Sequence, residues 1–336
     1  MGGECDGGGN RYSSQIELKH HAELREYFGE CEVVASGICS IRLLENDSPW
    51  VVCPRRLLVL GRENAVERNH QQNSEVAMLK LLGYKKGTNL GIWSEVKLEY
   101  KEVMNGVEKT FDYTFDYLVM PIGSVGQDSI CEQLHGKWSL LRRILEKSGY
   151  TIARRDGMDY VENFPIGVPS IIEIMTSSTS GGNKRKRTTI AQSFEDAIFQ
   201  KPHAAPSINK RQVWARMASQ LIVKSEAALS WGGKTLWLIQ DTLADYISAS
   251  TALDLNKFVA SHTDEVNILS FAYAKESSPN GIVELKTDNL FAGKISSGGI
   301  EPSFQDIVKS PVCPPLSSLL SLLVSKGKPV NVAIAP

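Results

Sequence analysis

The chain has 336 residues, 42% of them hydrophobic, which is enough for one large domain or two modest ones around a real core. Its 37 basic and 38 acidic side chains give no electrostatic hint of nucleic acid, although a binding face can be locally basic within a balanced total. No run reaches the roughly 18 apolar residues of a membrane span, and the Gly-rich, acidic start lacks the basic and apolar regions of a secretory signal. A cytoplasmic, reducing location is therefore expected, where cysteines read as metal ligands or thiols in preference to disulfides.

Residues 1–15 have a flexible composition, and 16–28 reads as a short helix. The segment 29–62 bears cysteines and ends in the apolar stretch Trp50-Val51-Val52-Cys53. An amphipathic helix is expected from Ser74 to a stop at Gly83. The clearest β signal follows. Val96, Leu98 and Tyr100 alternate with charged residues, Asn105-Gly106 supplies a type I′ hairpin turn, and a returning strand runs from Val107 to Met120. In that strand Phe111, Tyr113, Phe115 and Tyr117 share one face, and Asp112, Thr114 and Asp116 the other.

A helix over 137–149 is capped by Gly149. Beyond Pro169, the strand 170–175 (SIIEIM) is apolar on both faces apart from Glu173, as a central buried strand would be. A polar loop at 176–187 precedes a helix over 188–199 and a longer one over 208–230, which stops at Gly232-Gly233. The buried strand 234–240 leads into a helix capped by Asp241. This order defines an α/β fold with one mixed central sheet flanked by helices. Three regions are expected: an N-terminal cysteine region (1–90), a core (91–260) and a C-terminal extension packed on it (261–336).

Asp116 and Glu173 are the leading site candidates. If their strands are neighbours the two carboxylates can meet and, with the main-chain carbonyl of Ile174, offer the hard oxygen ligands Mg²⁺ prefers. By spacing alone, each could equally be a salt-bridge residue, but a charge in a doubly buried strand is expensive without partners. Asp112 is the next candidate. Cys5, Cys31, Cys39 and Cys53 lie within the first 53 residues, while Cys131 and Cys313 lie far off. Their spacings are wider than the usual CxxC pairs, so the four read either as a metal site or as buried thiols. The run Lys184-Arg185-Lys186-Arg187 after Glu173 reads either as a phosphate-tracking loop or as a solvated surface. The histidines show no ligand spacing, and no G-x-S-x-G elbow is present.

Several of these features, in this order, resemble the NotI-like restriction endonucleases. Cys31…Ser36-Gly37-Ile38-Cys39…Trp50-Val51-Val52-Cys53-Pro54-Arg55-Arg56 resembles that family's cysteine cluster. The strand around Asp116 resembles the one bearing the first catalytic aspartate, and 169–176 (PSIIEIMT) the one bearing the catalytic glutamate. The similarity is patchy over about 25–250. It implies a PD-(D/E)XK nuclease core and a type II enzyme that cuts palindromic double-stranded DNA as a homodimer, leaving 5′-phosphates. It further implies Mg²⁺ at Asp116 and Glu173, and a structural iron or zinc on Cys5, Cys31, Cys39 and Cys53. A cognate DNA methyltransferase and a prokaryotic cytoplasm follow from the same resemblance. Met175 departs from the pattern, standing at the third motif position, where lysine or glutamine is expected. Lys184, Lys186 or Gln192 is the candidate to supply that polar group. An insertion containing the 137–149 helix also separates Asp116 from Glu173. The alternatives are a DNA-binding protein that has lost catalysis, a non-specific repair-type nuclease, and a cysteine-metal regulatory protein unrelated to DNA.

Overall fold

A computed structural model describes residues 13–17, 32–37, 40–43, 48–58, 79, 81–180, 182–199, 201–250, 253, 255–274, 285–295 and 314–333. In chain order its strands are β1 (Ser13–Glu17), β2 (Val33–Gly37), β3 (Ser40–Ile41), β4 (Trp50–Val51), β5 (Asn89–Met104), β6 (Val107–Gly126), β7 (Ile152–Arg155), β8 (Met158–Pro165), β9 (Ser170–Ile174), β10 (Thr179–Ser180), β11 (Ser207–Ile208), β12 (Lys234–Gln240), β13 (Val266–Tyr273), β14 (Leu285–Gly293) and β15 (Val330–Ala333). The helices are α1 (Gln127–Gln133), α2 (Trp138–Lys147), α3 (Ile190–Ile198), α4 (Lys210–Ser230), α5 (Asp241–Ser250) and α6 (Leu316–Lys326).

The chain is mixed α/β, built on a large mixed sheet in the order β14-β13-β12-β9-β6-β5-β15. β5 and β6 form a long hairpin whose turn residues, Asn105 at φ 53° and Gly106 at φ 76°, take the positive values a type I′ turn demands. β9 runs antiparallel to β6, α4 crosses over, and β12 and β13 lie parallel to β9. Helix α4 buries Val213, Met217 and Leu221 with Trp237 and Ile239 on one face of the sheet. Leu57, Leu58 and Leu79 gather with Leu236 and Leu238 in a second cluster. At the crossover the chain passes close to itself. A Cβ on Gly233 would lie 1.8 Å from the Pro169 carbonyl oxygen, so only glycine fits there.

The pleat changes phase in mid-hairpin. Phe115 and Leu118 lie in one cluster, as do Trp93 and Val96, although strict alternation would put the members of each pair on opposite faces. The change centres on Glu95, which has φ 50° and lies between the registered pairs Ser94–Tyr117 and Val96–Phe115, across from Asp116. One left-handed residue re-aims everything beyond it, which the even alternation of the sequence does not reveal.

The stretch between Asp116 and Glu173 forms a subsidiary unit. α1, α2, β7 and β8 enclose a separate cluster of Ile130, Leu141, Leu145, Tyr150, Val161 and Phe164, and β8 pairs with the far half of β6. Two expectations are corrected. Ile16 and Glu17, read as the start of a helix, lie in β1, where antiparallel pairing with β2 satisfies their backbone; 18–28 lie outside the described residues. The segment after 261 also does more than pack on the core. β13 and β14 extend the sheet on one side, and β15 extends it beyond β5 on the other.

Candidate active site

The β6–β9 ladder registers Val119 with Ser170, Leu118 with Ile171 and Tyr117 with Ile172. Continued by one step, it sets Asp116 opposite Glu173. There side-chain bonds replace the ladder. The Ile174 amide donates to Asp116 Oδ2 at 2.8 Å, and the Asp116 amide donates to Glu173 Oε1 at 3.2 Å. Each carboxylate thus caps a strand amide where the two strands part, and the pair is brought together as the sequence suggests.

A third group arrives from α4. Lys224 Nζ donates to Glu173 Oε2 at 2.5 Å, with both side chains 3% exposed. The ammonium lies 5.7 Å from the Phe115 ring centroid and 5.9 Å from that of Trp237, within cation–π range of both. Val213, Met217, Leu221 and Ala228 are buried on the same helix, and Lys224 continues their three- and four-residue spacing. It occupies a core position that an apolar side chain would normally fill. The charge is held there because Glu173 meets it, since an isolated buried ammonium would be far too costly.

Burial raises the pKa of both acids. Glu173 is pushed up to about 8, against the attraction of Lys224 and with the nearby negative charge of Asp116 adding to the rise. Asp116 is also raised by burial, opposed by the Ile174 amide, Lys224 and Arg216, and reinforced by Glu95. Two desolvated acids side by side hold negative charge reluctantly, and a cation between them would relieve that. The hard-oxygen donor set consists of the two carboxylates and the Ile174 carbonyl. In a strand, a residue's N–H and C=O point to the same neighbour, so this carbonyl faces the Asp116 strand. Glu173 has both oxygens engaged, whereas Asp116 Oδ1 has no hydrogen-bond partner among the described residues. Among the described residues no group of three or more His, Cys, Asp or Glu side chains is gathered for a metal.

Met175 does not join the pair. It is buried in the cluster containing Val213 and Met217, and its amide donates to the Leu238 carbonyl. Lys184 and Lys186 are exposed in a turn whose amides at 185 and 186 donate to Asn183 Oδ1. Gln192 Nε2 donates to the Lys184 carbonyl, and its main-chain amide donates to the N-cap Thr189. None of these three bonds Asp116 or Glu173. Asp112 instead pairs with Lys97 across the hairpin. Arg187 grips Asp196 through two nitrogens and also reaches Glu195, so this member of the basic run is a structural clamp. β10 and β11 pair, which ties the loop after β9 to the N-terminus of α4 and brings Lys210 and Arg211 into the same region of the chain path.

Cys53 is buried at the N-cap of the short turn Pro54–Arg56. Cys5, Cys31 and Cys39 lie outside the described residues. The adjoining Trp50–Cys53 segment is docked on the sheet. Gln240 accepts from the Val51 amide and donates to the Pro49 carbonyl, and the Ser177 amide donates to the Val51 carbonyl. The Trp50–Cys53 segment is therefore anchored a few residues beyond Glu173.

No family model matches the chain, and no match was found among curated proteins or solved structures.

Proposed function

We propose that the chain is a Mg²⁺-dependent DNA endonuclease with a PD-(D/E)XK-type core. The observation that carries this reading is the reciprocal bonding of Asp116 and Glu173 at a strand fork, with Lys224 closing on Glu173. The layout supports it. A hairpin, a third antiparallel strand, a crossover helix and a parallel strand follow in order, with the aspartate on the second strand and the glutamate on the third. That is the arrangement the sequence resemblance implies.

Asp116, Glu173 and the Ile174 carbonyl would hold the ion. Bound Mg²⁺ supplies polarisation of the scissile phosphate and a readily deprotonated water. Lys224 takes the role that Met175 cannot fill, an ammonium beside the acids that balances charge developing on the phosphate. Arg216, exposed and close enough to act on Asp116 electrostatically, and the exposed Lys184, Arg185 and Lys186 would hold flanking phosphates.

The finer reading is a type II restriction endonuclease: a homodimer cutting a palindromic duplex site to 5′-phosphate ends, encoded beside a methyltransferase that protects the same site. Cys53, with Cys5, Cys31 and Cys39, would hold a structural iron or zinc. Digestion of a sequenced phage genome with Mg²⁺ tests this reading. Discrete fragments with ligatable ends are expected. A smear would point to a non-specific repair-type nuclease.

One observation favours a second reading. The Lys224–Glu173 pair is as closed as a structural ion pair, with both side chains 3% exposed. A DNA-binding protein that does not cut would retain this pair and shift a duplex under every divalent ion without cleaving it.

A further inference from the structure

We propose that Lys224 is the resident counter-cation of the Asp116–Glu173 pair, and that a divalent ion enters the site in competition with its charge. The proposal rests on the reading of those two carboxylates as cation ligands. Three observations carry it. Lys224 Nζ occupies Glu173 Oε2, the carboxylate oxygen an ion would otherwise take. The ammonium comes from α4, on a different element from either acid, so it can withdraw without disturbing β6 or β9. Phe115 and Trp237 lie 5.7 and 5.9 Å from Nζ, and their faces provide somewhere for the displaced ammonium to remain while still buried. The ion-free site is thereby kept near charge balance, and cation affinity is set lower than two bare carboxylates would give.

A consequence follows that a purely structural lysine would not produce. Removing the Lys224 charge should tighten ion binding even as it removes the ammonium that cleavage needs. The test uses the full chain without DNA, titrated with Mn²⁺ while the free ion is followed by electron paramagnetic resonance. Wild type should bind an Mn²⁺ that Asp116→Ala loses. Lys224→Met should bind the same ion at least about tenfold more tightly. Lys224→Arg, which keeps the charge, should bind it no more tightly than wild type. If Lys224→Met does not fold, Lys224→Gln gives the same reading. Equal affinities in wild type and the neutral variant would overturn the counter-cation role while leaving the metal site intact. The absence of any Asp116-dependent Mn²⁺ from both proteins would overturn the ligand reading beneath it.

Discussion

Asp116 and Glu173 each hold main chain beside the other: the Asp116 amide donates to Glu173 Oε1, and Asp116 Oδ2 accepts from Ile174, the residue after Glu173. Two acids from strands far apart in sequence are thereby locked at one fork. Lys224 holds the remaining oxygen of Glu173 from the helix above.

Lys224 and Glu173 are buried against each other, so removing one partner should cost more than replacing both. Glu173→Met would leave an ammonium in an apolar setting between Phe115 and Trp237 and should cost about 3–5 kcal/mol. Glu173→Met with Lys224→Met should recover much of that loss, because two apolar side chains leave no orphaned charge. Denaturant unfolding of the single and double variants measures this. A single-variant cost near zero would mean the pair is not buried in solution.

Glu173 also links stability to pH. Its pKa in the folded chain, raised to about 8 by burial, lies above the ordinary value of 4.5 expected when unfolded. The folded state therefore binds the proton more tightly. The stability this group contributes is fully present below about pH 4.5 and is lost as pH rises through about 8. Asp116 shifts in the same direction. Thermal midpoints of metal-free wild type should fall across that window relative to Glu173→Gln. Parallel curves would contradict the assignment.

Gly233 positions the site without touching it. A Cβ at 1.8 Å from the Pro169 carbonyl oxygen would force β12 away from the start of β9, three residues before Glu173. Gly233→Ala should therefore lower both the melting temperature and any cleavage activity. At Gly106, in the exposed turn, alanine should cost only about 1 kcal/mol for its positive φ and leave activity unchanged.

The basic turn divides into two roles. Changing Lys184, Arg185 and Lys186 together to alanine should leave folding intact, weaken duplex binding, and flatten its salt dependence by up to about 0.9 per lost phosphate contact. Arg187→Ala should instead destabilise the turn and α3, since it frees Glu195 and Asp196. Filter binding across a salt series, with melting curves, separates the two.

The hairpin, the Glu173 strand, the long helix and the strand at 234–240 were legible because each carries a clean period, a turn signal or an unbroken apolar run. Glu173 was legible for the same reason, as an acid out of place in an apolar run, whereas Asp116 sat on the regular polar face of its strand and was legible only as a carboxylate that could meet it. Lys224 was not, because it lies 51 residues beyond Glu173 and only the fold brings the two together. The signal was nevertheless present: a lysine in the apolar stripe of a helix over a sheet. The phase change at Glu95 could not be read, since period-two alternation carries no mark of a left-handed residue. β13, interrupted by the buried polar residues Asn267 and Ser270, was not read as a strand, and its sheet neighbours are fixed only by long-range pairing.

The most direct test of the central claim is cleavage of phage DNA with Mg²⁺ by wild type, Asp116→Asn, Glu173→Gln and Lys224→Met, each first shown to be folded by circular dichroism. Defined fragments from wild type alone are predicted, with each variant reduced by at least about a hundredfold. Wild type that binds duplex DNA but cuts under no divalent ion, or cleavage that survives in both acid variants, would contradict the account.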